Sequence, residues 1–367
     1  MILMNDFRAE PDGLRASMLE AARRVLESGW YVLGQEVQRF ETEWAQACGF
    51  TYACGVGNGM DAIEIALRAL DIGPGDEVIT TPMTAFATVL AIYRAGATPV
   101  LADIGAETAL LSMESVDRCI ADKTKAVLLV HLYGQVRNLD AWQQFCNERG
   151  IFLVEDCAQA HFAQSNGRFA GSFGAAGAYS FYPTKNLGAP GDAGMLVTND
   201  AEIAAKASRL RNYGQSARYH HPELGLNSRL DEIQATMLSE RLKWLEEFTQ
   251  RRQANAQAFR EGMHNPAVTL LAEPEAKDAH VYHLFVVTCA QRDALQQHLT
   301  KAGVQTLIHY PVPVHHQEPC LLIRRDPQGL RQSEAHASAC LSLPCHPQMS
   351  NMDVWFVIDA VNAFRMS

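Results

Sequence analysis

Lys185 lies in AYSFYPTKNLGAPGDAGMLVT (178–198), among Ser, Thr, Asn and Gly, with no second basic residue in that stretch. A lysine on a solvated charged face has different company. In a pocket that excludes water its amine gives up a proton more readily and can form a Schiff base with an aldehyde. Asp156, 29 residues earlier in VEDCAQAHFA (154–163), ends a strand-like run. A carboxylate there can keep a heteroaromatic nitrogen protonated, because a fixed anion offsets the cation's desolvation; the same residue also serves as an ordinary helix N-cap. His161, taken alone, reads as a satisfied polar residue. In GVGNGMDAIEIALRAL (55–70), Asn58 and Asp61 have N-cap and N3 character, and Gly57 and Gly59 permit close backbone approach. Free amides at that helix start can hold a phosphate, although alone the segment is only a capped helix. It is not the dinucleotide fingerprint, since Met60 stands where the third Gly belongs, and no GxxxxGK loop occurs. Ser180, five residues before Lys185, adds a hydroxyl. An imine-forming amine, a ring-nitrogen partner and a phosphate donor in successive connections of one sheet point together to pyridoxal phosphate.

The elements that must position these groups alternate. EVITT (77–81) precedes a helix through Ala91, TPVLAD (98–103) precedes Met113–Ala121, KAVLLVHL (125–132) precedes Leu139–Arg149, and IFLVED (151–156) ends the series. That alternation predicts a mostly parallel sheet covered by helices, with ligands gathered in the loops after the strands' carboxyl ends. Asp103, His131 to Gly134 and Glu155 to Gln159 fall there. Downstream, the pattern predicts a helix from Asp200 to Asn212, an irregular loop to Asn227, and one long connector helix from Leu230 to about Met263. A separate α+β unit follows, with HVYHLFVVT (280–288) as a strand and helices at Arg292–Ala302 and Asp353–Phe364. The boundary is placed near 245 to 265, giving residues 1–245 as a large domain and 246–367 as a small one.

The 367 residues carry 31 Lys+Arg against 41 Asp+Glu, a net −10 without long single-sign blocks, which disfavours a nucleic-acid or anionic-membrane surface. No stretch approaches the ~20 apolar residues that span a bilayer, and the start lacks a basic leader, so the expected location is cytoplasmic. Nine scattered cysteines without a CxxC pair fit neither a disulfide framework nor a zinc ribbon; most are expected to be buried thiols. The His pairs 220/221 and 315/316 lack carboxylate or Cys company at ligand spacing, so no metal is expected.

ED-C-AQAH, then Gly171 and Gly174, then YSFYPTKNLG with GDAG, resemble the core of the DegT/StrS-type sugar aminotransferase family. The resemblance continues through SGWYVLG (28–34), GPGDEVIT, AGATPV, RNYGQSARYHHPELGLNSRLDEIQA (211–235), IHYPVPVHHQ (308–317) and LSLPCHP (341–347), covering nearly the whole chain in order. It implies an α/β, aspartate-aminotransferase-type (fold type I) chain: a mixed, mainly parallel seven-stranded sheet, a smaller C-terminal domain, and a homodimer with active sites at the interface. It makes Lys185 the imine lysine and Asp156 the pyridinium partner. Gln159 contacts the ring region, Ser180 and the amides of Gly59 and Met60 bind phosphate, and Asn227 reaches the phosphate of the other subunit's cofactor. Trp30, Tyr31, His309, Tyr310 and His315 border a sugar-nucleotide pocket. Two departures stand out. Ala85 follows Thr84 where relatives carry a stacking aromatic, with Phe86 one place later, and Phe162 replaces a Gly after AQAH, which would narrow the pocket.

The reaction this implies moves an amino group from L-glutamate to a nucleotide-linked keto-sugar. The AQAH and IHYP wording is more similar to the branch acting on dTDP-3-keto-6-deoxyhexoses, which yields 3-amino sugars. A 4-keto sugar or a cyclitol ketone is the alternative. Lys185 argues against the related dehydratases, in which a histidine replaces it, and Lys185, Asp156 and Ser180 together argue against a non-catalytic regulatory protein.

Overall fold

The structure is a computed structural model and describes residues 1–366. Seven strands form the main sheet in the order Tyr52–Val56, Gly194–Thr198, Ala176–Ser180, Phe152–Asp156, Thr124–Val130, Glu77–Thr80, Thr98–Leu101. Gly194–Thr198 runs antiparallel to both neighbours and every other pairing is parallel, so the sheet is mixed and mainly parallel. TKAVLLV (124–130) is buried at all but one position because it lies mid-sheet with helices on both faces. Its alternate residues enter different cores. Val127 and Leu129 pack on one side with Phe40, Trp44 and Trp142, while Ala126 and Leu128 pack on the other with Ile63, Ile65 and Ile92. A third core, drawn from Ala256 onward, surrounds a three-stranded antiparallel sheet of Thr269–Leu270, Phe285–Thr288 and Cys340–Leu343.

Two expected elements differ. The single connector helix is two, Glu232–Leu242 and Leu245–Gly262, separated at Lys243 and Trp244. No Gly or Pro marks that break. Leu238, Leu242 and, after the break, Leu245 pack in the first core, and Ala256 and Phe259 pack in the third, so the chain passes from one core to the other within the second helix. The expected strand at 280–288 is shortened to Phe285–Thr288. Tyr282 has a left-handed φ of 45° and its ring stacks on His280 at 3.9 Å, while the backbone of Val281 donates to Gly134 O. All nine cysteines are free and buried. No helix among the described residues is long and apolar enough to cross a membrane.

Candidate active site

At the carboxyl ends of the central strands, Lys185, Asp156, Gln159, Ser180, Gly59 and Met60 line one cavity, with Thr84, Ala85 and Thr88 along its wall. The helix Gly59–Ala69 points its N-terminus into it. Asn58 caps that helix as its type predicts, accepting from the amide of Asp61 at 2.9 Å, which leaves the amides of Gly59 and Met60 at the cavity. Gly59 is required there, since a Cβ would lie 2.6 Å from Ser180 Cβ. With glycine, the strand bearing Ser180 comes close enough to set a hydroxyl and helix amides around one point, a ready anion site.

Asp156 ends its strand only 5% exposed. Thr88 Oγ1 donates to Oδ2 at 2.8 Å and the amide of Ala158 donates to Oδ1 at 3.1 Å. Burial raises its pKa; the Thr88 and Ala158 bonds and the Lys185 and His131 charges oppose that rise. Lys185 has its pKa lowered to about 8, burial prevailing over the attraction of Asp156. Gln159 is fixed on both ends of its carboxamide: Oε1 accepts from Tyr133 N at 2.6 Å and Nε2 donates to Tyr310 Oη at 3.3 Å. The Tyr310 phenol is pushed up to about 12 by burial and by Asp156. His309 hydrogen-bonds Ser342 Oγ through Nδ1 at 2.8 Å, and burial and Lys185 bring its pKa down to about 4.

The remaining anticipated residues lie elsewhere in this single chain. Trp30 and Tyr31 are exposed, beside a separate pocket at the start of the helix Gln35–Cys48. Asn227 is exposed, bridged to Asn212, and outside the cavity. His315 is buried, with Nε2 3.1 Å from Glu334. His316 lies 3.6 Å from the same oxygen, so the pair does have carboxylate company, supplied by a residue the sequence places 19 positions away. Of the strand-end residues, Asp103 instead caps Gln332 and Ser333. Burial would raise the Glu155 pKa, but His131 and the amides of Gly171 and Gly174 outweigh it and hold that carboxylate low.

Two sequence readings are corrected here, those on Phe162 and His161. Phe162 does not narrow the cavity: it stacks on Trp44 at 5.9 Å and also packs against Phe169. Ala85 lines the cavity and Phe86 does not. His161 is fully buried, yet neither ring nitrogen has a hydrogen-bond partner among the described residues. Thr88 and Thr84 have no role in the sequence reading, because their local patterns carry no chemical signal and only the fold brings them to Asp156; Tyr133 falls in the His131–Gly134 loop where a site was expected and reaches Gln159 through its amide.

Pyridoxal phosphate brings an aldehyde, a ring nitrogen able to hold a positive charge, and a phosphate. The cavity offers a lysine with a depressed pKa, hydroxyl and helix amides for the phosphate, and a buried carboxylate whose hydrogen-bond donors are neutral and whose raised pKa a cation would relieve. The residues fit the cofactor. A lysine and a carboxylate so placed on this mixed sheet mark the chain as a pyridoxal-phosphate-dependent enzyme. The sequence pattern of the DegT/DnrJ/EryC1/StrS aminotransferase family matches residues 13–362, and the chain belongs to that family. It is 43% identical over 358 residues to dTDP-3-amino-3,4,6-trideoxy-alpha-D-glucose transaminase of Streptomyces venezuelae, covering 97% of this chain and 94% of that one. It is also 43% identical over 364 residues to dTDP-3-amino-3,6-dideoxy-alpha-D-galactopyranose transaminase of Aneurinibacillus thermoaerophilus, covering 99% of each. The crystal structure of S. venezuelae DesV in complex with a ketimine intermediate superposes with a TM-score of 0.94 at 41% identity, covering 100% of this chain and 99% of that one.

Proposed function

We propose that the enzyme transfers the amino group of L-glutamate to C3 of a dTDP-linked 3-keto-6-deoxyhexose, acting as a cytoplasmic homodimer in which residues 1–245 hold the cofactor and 246–367 form a small domain. The observation that carries the catalytic half is the convergence of Lys185, Asp156, Ser180 and the amides of Gly59 and Met60 on one cavity. The acceptor is supported by the two relatives, both named for dTDP-3-amino sugars.

When bound, pyridoxal phosphate supplies an electron sink that lets a proton leave the donor's α-carbon. Ser180 and the two helix amides would hold its phosphate, and Asp156 would keep its ring nitrogen protonated. Lys185 would take up and release a proton at its Nζ; with a pKa of about 8, roughly a tenth of its amine is free of its own proton at pH 7. Gln159, clamped by Tyr133 and Tyr310, would rest against the ring. Asn227 lies outside its own cavity, which suits a contact with the partner's phosphate, and exposed Trp30 and Tyr31 suit a surface completed by a second chain. His309, Tyr310 and His315 would border the sugar.

The test is to incubate holoenzyme and L-glutamate with a panel of 3-keto and 4-keto nucleotide sugars and to read product mass and amine position. A 3-amino product from the dTDP-linked 3-keto sugar is expected. Amination of only a 4-keto sugar or a cyclitol ketone would refute the acceptor.

A further inference from the structure

We infer that Tyr133 is a positioning residue that sets the His309–Tyr310 segment against the cavity, and with it the enzyme's hold on its amino acceptor. The inference rests on the acceptor reading above.

Tyr133 belongs to the turn HLYGQ (131–135) after the strand Thr124–Val130. Its backbone is left-handed, φ 64° and ψ 0°, a conformation that costs a non-glycine residue energy and persists only where the surroundings hold it. The surroundings do. Gly134 follows at φ 92°, and a Cβ on it would meet Gln159 O at 2.7 Å. Gly134 O accepts from Val281 N, and Tyr133 O from Leu284 N. The turn is thus zipped between the segment bearing Gln159 and residues 281–284, at the seam of the main sheet and the C-terminal part.

A tyrosine at this strained position makes bonds that Asn or Gly could not make together. Its amide donates to Gln159 Oε1 at 2.6 Å, and Gln159 Nε2 donates to Tyr310 Oη at 3.3 Å. Its phenol, 1% exposed, donates to His309 O at 2.6 Å and lies 2.8 Å from His336 Nε2. A phenol has one proton and a carbonyl can only accept, so that proton goes to His309 and the His336 Nε2–H must donate to the phenol oxygen. His336 is kept neutral by burial, its pKa brought down to about 4, and the phenol is held far above its ordinary pKa, so the arrangement does not change across the working pH range. The bonds close a circuit, Gln159 to Tyr133 to His309, through the chain to Tyr310, and back to Gln159. The circuit ties a residue of the cavity wall to the dipeptide expected to face the sugar, and Tyr133 is its only member touching both by hydrogen bonds from different atoms.

Tyr133→Phe deletes one oxygen. It leaves the bond from the amide of residue 133 to Gln159 in place, strands the His336 N–H, and leaves His309 O only the weak thiol donor Cys340 Sγ at 3.8 Å. If the hydroxyl positions the acceptor segment, the half-reaction with L-glutamate, followed by the cofactor's absorbance, stays within about twofold of wild type. KM for the dTDP-linked 3-keto-6-deoxyhexose rises tenfold or more with a smaller change in kcat. Backbone hydrogen exchange in residues 307–312 of the holoenzyme quickens. Equal losses in both half-reactions, or no change in either, would overturn the inference. So would a variant that fails to fold as holoenzyme, because a hydroxyl that only positions one segment is dispensable for folding. Should wild type itself ignore the dTDP-linked sugar, the proposed acceptor fails, and hydrogen exchange decides on Tyr133 alone: unaltered exchange across 307–312 overturns it.

Discussion

Asp156→Asn isolates charge from shape. In the native site Thr88 donates its proton to Asp156 Oδ2, so the 2.7 Å bond between Thr84 and Thr88 must be donated by Thr84. An asparagine keeps the bond from Ala158 N to Oδ1 and puts an amide N–H where Oδ2 was. Thr88 can accept from that amide and turn its proton to Thr84. The rearrangement strands one buried hydroxyl proton, on Thr84, for a stability loss of about 1 kcal/mol. The variant should therefore fold and bind cofactor. Its ring-nitrogen partner is now a neutral amide. Removing one member of a buried ion pair costs roughly 3–5 kcal/mol, and if that loss is expressed in the reaction barrier, each ~1.4 kcal/mol is a tenfold slowing, about two to three and a half orders of magnitude in all. Stopped-flow of the L-glutamate half-reaction reads it directly. A holo variant within a factor of a few of wild type would show that Asp156 only caps its loop, and the ring-nitrogen assignment would fall.

His161, fully buried, has its pKa brought down to about 3 by burial and by the charge of Lys185, against a smaller opposing pull from the Ser180 backbone. The unfolded chain protonates it near 6.5 and the folded chain does not, so stability is lost as pH falls from about 6.5 toward 3, at about 1.4 kcal/mol per pH unit. His161→Phe, among Trp44, Tyr179 and Phe181, should flatten that decline; denaturation midpoints at pH 7 and pH 5 that shift by the same amount as in wild type would contradict this. Mixing inactive Lys185→Ala chains with inactive Asn227→Asp chains should restore activity, since a heterodimer then has one site with both lesions and one with neither; silent verified heterodimers would mean that Asn227 serves its own subunit.

The chemistry was most legible where it was local. Lys185, Asp156 and Ser180 stand in compact segments whose residue types announce an amine, an anion and a hydroxyl, and the alternation of apolar runs with helical periods announces strands that bring them together. What the sequence hid was tertiary. Residues 230–263 keep a helical pattern through Lys243 and Trp244, where no Gly or Pro announces the break between the two helices. HVYHLFVVT is apolar enough for a full strand, yet 280–284 is claimed by the turn at Tyr133. Glu334 reaches His315 and His316 only through folding of the C-terminal part. Phe162 looked like an intrusion into the pocket because its loop neighbours Asp156, but its left-handed backbone, φ 67°, accompanies a ring packed on Trp44.

Lys185 is the residue proposed to hold the cofactor's aldehyde. Borohydride reduction of native holoenzyme, followed by digestion and mass mapping, reads that bond without any assumption about the sugar. The reduced cofactor's mass should appear on the peptide containing Lys185 and be absent from a Lys185→Ala chain. Label on any of the other six lysines instead would contradict the site, and with it the roles derived for Asp156, Ser180 and Gln159.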